Sequence, residues 1–177
     1  MRCRLCGINR VVKRIALWLL AAGLSLSSVL PASAEEHVIG WVEKVYLPAA
    51  DVTVKAKIDS GALTSSIQAS DIERFTKDGK KWVRFTLPLE DANSKERVSK
   101  VIERPFYRRV KIYGAGGEDH RLVVKLKLCI GDQWLYEQFT LSARANKNYG
   151  VLIGRRTLEH IGLLDVTKTF TTQPHCR

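Results

Sequence analysis

Apolar and polar residues alternate along several short stretches of this chain, the period-two signature of strands with one covered face. The clearest is Val52–Ile58, where Val52, Val54, Ala56 and Ile58 share one face and Thr53, Lys55 and Lys57 the other. Residues 37–47 predict a first strand, with Val38, Trp41, Val42, Val45 and Leu47 available for packing. Residues 64–67 continue as a strand, and 68–76 read as a short helical turn. An Asp78-Gly79 turn leads into 81–87, where Trp82 and Arg84 share one face and Val83 and Phe85 the other.

Residues 106–113 and 122–130 flank the tip Gly114-Ala115-Gly116-Gly117, the pattern of a β-hairpin. A tight turn at Gly131-Asp132-Gln133 then feeds a strand over 134–141. Residues 149–164 predict a buried apolar strand, a Gly-Arg turn and a short helix carrying Thr157, Leu158, Ile161 and Leu164 at helical spacing. The β-branched run 166–171 predicts a strand that closes the sheet. Residues 88–104 are highly charged and weakly patterned, which predicts a mobile loop or extended hairpin, read as a solvated linker rather than a lid or docking surface. The expected fold class is therefore mainly all-β, a small closed or sandwich-like architecture with one short C-terminal helix.

The first 34 residues stand apart. Arg2, Arg4, Arg10, Lys13 and Arg14 precede an almost wholly apolar run over 15–30, and Ala32-Ser33-Ala34 supplies small residues at the positions a signal peptidase reads. The apolar run falls short of the ~20 residues needed to span a bilayer. Residues 1–34 are expected to be a cleaved secretory signal and 35–177 a single domain, with no stable membrane span after cleavage and a periplasmic or secreted location. The net charge of +11 includes five positive charges in that signal, leaving +6 for the mature part. Such a balance is compatible with acidic partners, though more often it serves solubility. No basic run is interleaved with aromatics, which argues against nucleic acid as a partner. Cys3 and Cys6 leave with the signal, and an oxidising compartment permits a disulfide between Cys129 and Cys176.

The candidate chemistry sits where the clearest strand ends. Val52–Ile58 runs straight into Asp59-Ser60-Gly61-Ala62, so a carboxylate stands at the tip of a rigid element beside a glycine that lets the backbone turn. An isolated Asp-Ser-Gly is usually just a turn. Two later features change its meaning: the glycine-tipped hairpin around Tyr113, Gly114, Gly116 and Gly117, and the apolar-Gly-Arg run Val151-Leu152-Ile153-Gly154-Arg155.

In that order, the three elements resemble a retropepsin-type aspartic peptidase, as catalytic loop, flap, and the strand beneath the active site with its short helix. The closest resemblance is to the bacterial RimB-like group labelled "ATP-dependent zinc protease", some members of which are associated with glutamate-ligase systems. The label finds no support in the residues: there is no phosphate-binding loop ending in Lys-Ser/Thr and no His-Glu-x-x-His, and His37, His120, His160 and His175 are scattered. No cofactor and no metal are expected. The resemblance implies a peptide-hydrolysing Asp59, with Ser60, Gly61 and Ala62 supporting the loop and Ile153, Gly154 and Arg155 beneath it. With one Asp-Ser-Gly per chain, it also implies a homodimer that pairs two copies of Asp59, acting on peptides or proteins of the cell envelope. Viral-type members carry an acidic residue two places after the catalytic glycine, paired with an arginine. Leu63 stands there in this chain, so Arg155 is expected to lack that partner.

Overall fold

Six strands form a closed ring whose interior is mainly aliphatic, with Phe139 and a few buried polar side chains such as Ser65 among them. The computed structural model of the chain describes residues 37–114, 117–143 and 148–176, all within the compact unit Glu36–Arg177. The signal-like segment 1–34 lies outside the described residues, as do Ala115 and Gly116. Strand β1 (Val38–Gly40) is separated by Trp41 from β2 (Val42–Leu47), so the single strand expected over 37–47 is two. β2 pairs antiparallel with β3 (Val52–Ile58), whose alternation of buried and open positions follows the sequence pattern.

The chain continues through β4 (Ser65–Gln68), β5 (Ser70–Lys77), β6 (Lys80–Glu90), β7 (Arg97–Pro105), β8 (Arg108–Gly114), β9 (Gly117–Ile130), β10 (Gln133–Ser142) and β11 (Val151–Ile153). One helical turn, α1 (Arg155–Leu158), and β12 (Leu163–Asp165) follow. The main sheet runs β10-β4-β11-β3-β2-β9-β8, and β10 also pairs with β9, which joins the two ends into a barrel with β8 attached outside. Closure leaves the ring strands without open edges. Inside it pack Val45, Val54, Ile58, Ile67, Leu126, Phe139 and Ile153, all essentially inaccessible to water. β1 and β12 form a separate parallel pair.

β5, β6 and β7 make a second, antiparallel sheet of three strands. Val83, Phe85, Leu87 and Leu89 on alternate positions of β6 are buried and join the common core, while Arg84 faces out between Glu73 and Glu103. Two expectations are corrected here. Residues 68–76 hold no helical turn: most of the stretch is β5, which starts with a register shift between Ser70 and Glu73 and a left-handed Asp71. Residues 88–104 are not a linker, because they contain the end of β6 and nearly all of β7, paired residue for residue from Trp82↔Pro105 to Glu90↔Arg97. Only 91–96 form a turn, held by the Asp91 carboxylate, which accepts the N–H groups of Thr53, Asn93 and Ser94.

The third correction concerns 166–171, which is not a strand. Beyond β12 the tail wraps over β1 and β2. Trp41 N–H donates to Lys168 O and Phe170 N–H to Val42 O, and the fully buried Glu43 accepts from Gly40 N–H and from the amides and hydroxyls of Thr171 and Thr172. Cys176 is disulfide-bonded to Cys129 on β9, with Cα atoms 6.0 Å apart.

Candidate active site

Asp59 is the first residue beyond β3, and three strand ends meet around it. Its N–H donates to Ile153 O at the end of β11 (2.8 Å), which continues the parallel β3–β11 pairing by one more bond. Its carboxylate Oδ1 accepts the Gly61 N–H at 3.1 Å, and its carbonyl accepts the Ala62 N–H at 3.1 Å, so the loop 59–62 is a closed turn with the acid folded over it. Asp59 is half-buried, and Ser60 and Gly61 are exposed.

Gly154 sits under the return of this loop. A Cβ there would stand 2.7 Å from Thr64 C, 2.9 Å from Ser65 N and 3.0 Å from Ala62 O, all backbone atoms. Only glycine lets β11 approach so closely. Its N–H donates to Ser65 Oγ (3.0 Å), and that hydroxyl shares a 2.8 Å bond with Thr157 Oγ1, both side chains fully buried. Arg155 N–H donates to Ala62 O, and its guanidinium Nη1 donates to Ser60 O at 2.7 Å and Gly61 O at 3.3 Å. With Leu63 in place of an acid, Arg155 therefore finds its partners in the carbonyls of the loop itself. Arg156 N–H adds a bond to Leu63 O at 3.2 Å, so loop and Gly-Arg turn are fastened by a series of hydrogen bonds that mix backbone and side chain.

The hairpin β8–β9 is rooted beside this assembly. Arg108, at its base, donates to Gln138 Oε1 (2.9 Å) and to Thr64 Oγ1 (3.3 Å), and Thr64 Oγ1 also accepts from Arg156 at 2.9 Å. Gly114 pairs with Gly117, which is left-handed at φ 94°, and Tyr113 is 73% exposed. Among the described residues no hydrogen bond joins the tip to the Asp59 loop, and Gly116 lies outside them. Along the hairpin Lys111 and Glu118 form a 2.6 Å ion pair, with His120 on the other carboxylate oxygen at 2.7 Å. Lys111 and then His120 hold Glu118 below the usual carboxylate range, and Glu118 raises Lys111.

Sequence reasoning placed the loop and the Gly-Arg turn but missed Ser65, Thr157, Arg108 and Arg156. The hydroxyl pair Thr64-Ser65 directly after the loop was the available signal, since a buried hydroxyl usually finds a partner, as Ser65 does in Gly154 and Thr157. Among the described residues no group of His, Cys, Asp or Glu is arranged to hold a metal ion.

The model of the RimB-like family, described as retropepsin-like aspartic endopeptidase RimB, matches residues 38–175. The chain belongs to the RimB-like family. Its relatives include proteins named probable alpha-L-glutamate ligase from Shewanella pealeana (33% identical over 144 residues) and Shewanella halifaxensis (34% over 145), each match covering 78% of this chain. The chain spans only about 30% of the length of those relatives. A solved structure from Legionella pneumophila, a protein of unknown function, superposes with a TM-score of 0.66 at 30% identity, covering 77% of this chain and 98% of that one. The ring of strands with one short helix is thus the RimB-like, retropepsin-like barrel.

Proposed function

We propose that this RimB-like chain is an exported aspartic endopeptidase, active as a homodimer in which each copy contributes Asp59. The observation that carries the reading is the clamp on the loop: Asp59 tied to Ile153, Gly154 packed beneath, and Arg155 on the loop carbonyls. Such rigidity suits a carboxylate that must meet its twin at a fixed distance. Two carboxylates about 3 Å apart cannot both ionise cheaply, so they share one proton. The ionised member takes a proton from water as it attacks the scissile carbonyl, while the protonated member gives its proton to the carbonyl oxygen. On collapse the first passes the water proton to the leaving amine, and the second takes back the proton from the diol oxygen. The domain carries one Asp-Ser-Gly, which is why a second copy is required. The signal-like residues 1–34 support an envelope location. The +6 charge beyond them and the kinship with proteins named as glutamate ligases favour acidic peptides among the substrates.

A second reading, a module on the same barrel that binds peptides without cutting them, is favoured by Leu63, which stands where viral-type peptidases carry the acid paired with an arginine. One experiment separates the two. The purified chain and its Asp59→Asn form are given a diverse peptide mixture from about pH 4 to about pH 8, and cuts are mapped by mass spectrometry. Cuts that vanish in Asp59→Asn support the peptidase. Retention of peptides without cleavage by a dimeric protein supports the binding module, and equal cutting by both forms removes Asp59 from the mechanism.

A further inference from the structure

Away from the Asp59 loop, two recesses on the outside of the barrel lie side by side. The larger, about 540 Å³, lies between the barrel and the three-stranded sheet and is walled by Pro88, Leu89 and Val98, with Lys55 and Arg97 among its polar residues. The smaller, about 290 Å³, is formed by Trp41, Tyr149 and Phe170. Lys55 and Asn148 line both, so the two adjoin, an aromatic recess beside a cationic one, and are treated as one groove.

The cationic end draws on three segments. Lys44 and Lys55 are cross-strand neighbours on β2 and β3, and Lys95 reaches Lys55 from the 91–96 turn. That turn is fixed in advance: Asp91 accepts its amides, Lys95 N–H donates to Asp91 O, and Lys95 sits in the left-handed region at φ 65°. Lys95 beside it, with Lys44 further off, holds the Lys55 amine below the usual lysine range, while Glu90 opposes them. Among the described residues no ion pair engages Lys55, Lys95 or Arg97. Glu90 is the acid that lines the cleft. Like charges gathered on a pre-built turn are relieved by an anion placed between them.

The aromatic end is built with comparable constraint. Phe170 is left-handed at φ 53°, a conformation that a bulky residue keeps only where its surroundings impose it. Those surroundings are the bond to Val42 O and the hold of Glu43 on Thr171 and Thr172 next door. Trp41 meets Tyr149 edge to face with ring centroids 6.3 Å apart, yet Trp41 and Phe170 remain 36% and 40% exposed. Flat apolar surface is thereby held open next to Lys55.

We infer that this groove binds a compact anion carrying a flat apolar ring, its ring in the Trp41–Phe170 recess and its phosphate or carboxylate groups at Lys55 and Arg97, with Lys95 adding positive charge beside Lys55. The ring gains by leaving water and by contact with aromatic faces, and the anion gains charge-assisted bonds from amines already in place. Trp41 O accepts the Ile58 N–H at 2.8 Å, so the occupied groove lies one backbone bond from the residue preceding Asp59.

The test is calorimetric titration of the purified full chain with phenyl phosphate, phenylsuccinate, inorganic phosphate and phenol. At least one aryl anion is expected to bind saturably and about tenfold more tightly than phosphate or phenol, since both ends of the groove then contribute. Comparison of the two aryl anions tells phosphate from dicarboxylate. The double substitution Lys55→Gln/Lys95→Gln should weaken that binding about tenfold, and Phe170→Ala should remove the advantage over phosphate. Should Phe170→Ala fail to fold, amide shifts of Lys55 and Asn148 in the unmodified chain on titration answer the same question. Absence of saturable binding by either aryl anion overturns the inference, as does binding unchanged by the lysine substitutions or phosphate binding as tightly as its phenyl ester.

Discussion

Gly154 and Thr64 lie so close that a single added methyl group at 154 would stand 2.7 Å from the Thr64 carbonyl carbon. No flexible side chain can give way there, because the neighbours are main chain. Gly154→Ala should therefore push the Asp59 loop off β11 and lower stability by about 1–3 kcal/mol, the usual cost of overpacking. Urea denaturation followed by circular dichroism measures it, and an unchanged midpoint would show that the loop is softer than the packing indicates.

Arg155 holds the loop by different means, from outside and through one guanidinium nitrogen. The side chain is exposed, so Arg155→Met should cost no more than about 1 kcal/mol of global stability. Its effect should be local. Hydrogen exchange at the Ala62 amide, bonded to Asp59 O, is expected to quicken by about an order of magnitude while core amides such as Phe139 keep their rates. Uniform acceleration across the barrel would assign Arg155 to the fold rather than to the loop.

Glu43 is a buried carboxylate whose two oxygens accept five hydrogen bonds, four of them from Thr171 and Thr172. Every partner is a donor, so an amide presents one NH₂ group to donors and loses their bonds. Glu43→Gln should destabilise by about 1.5–3 kcal/mol, the range for hydrogen bonds to a charged group. The tail from Lys168 onward should then become open to limited proteolysis, leaving a fragment joined through Cys129–Cys176 until reductant is added. Resistance equal to that of the unmodified chain would mean the disulfide alone fixes the tail.

Asp165 supplies a pH-dependent contribution whose sign is set by its surroundings. The Thr167 hydroxyl and amide and the Lys168 ammonium bond to its carboxylate and lower its pKa from 3.8 to about 2. A folded-state pKa below the unfolded one means that this contribution is complete above about pH 4 and is lost as pH falls towards 2. Carboxyl carbon titration by NMR should give a midpoint near 2, and Thr167→Val should raise it. A midpoint near the ordinary value in the unmodified chain would remove the turn at 165–168 as a source of acid sensitivity.

The parts of the fold that were legible are those where one physical demand dominates. β3 has a dry face and a wet face, so its alternation announces it, and Asp59 follows as the first residue past its end. β6 is readable for the same reason through Val83 and Phe85. Residues 68–76 were misread because the bulge between Ser70 and Glu73 and the left-handed Asp71 break the period. Residues 166–171 have the side chains of a strand, but Glu43, far away in sequence, captures Thr171 and Thr172 and imposes another path. The bonds of Ser65 to Gly154 and of Arg155 to the loop were hidden because both depend on which strand ends meet, and that is decided by closure of the ring.

β7 was the hardest segment to see, and the reason has a consequence for the behaviour of the protein in concentrated solution. Together with β5 it forms an open edge of the three-stranded sheet, and an open edge is a template on which another chain can pair. Lys100, Glu103, Arg104 and Pro105 along β7, and Asp71, Glu73, Arg74 and Lys77 along β5, place charge or a missing donor at most of the positions where a foreign strand would settle. The residues that make this stretch read as a solvated linker thus also guard it against fibril growth. Replacing them with neutral β-formers would sharpen the strand signal in the sequence and expose the protein to aggregation.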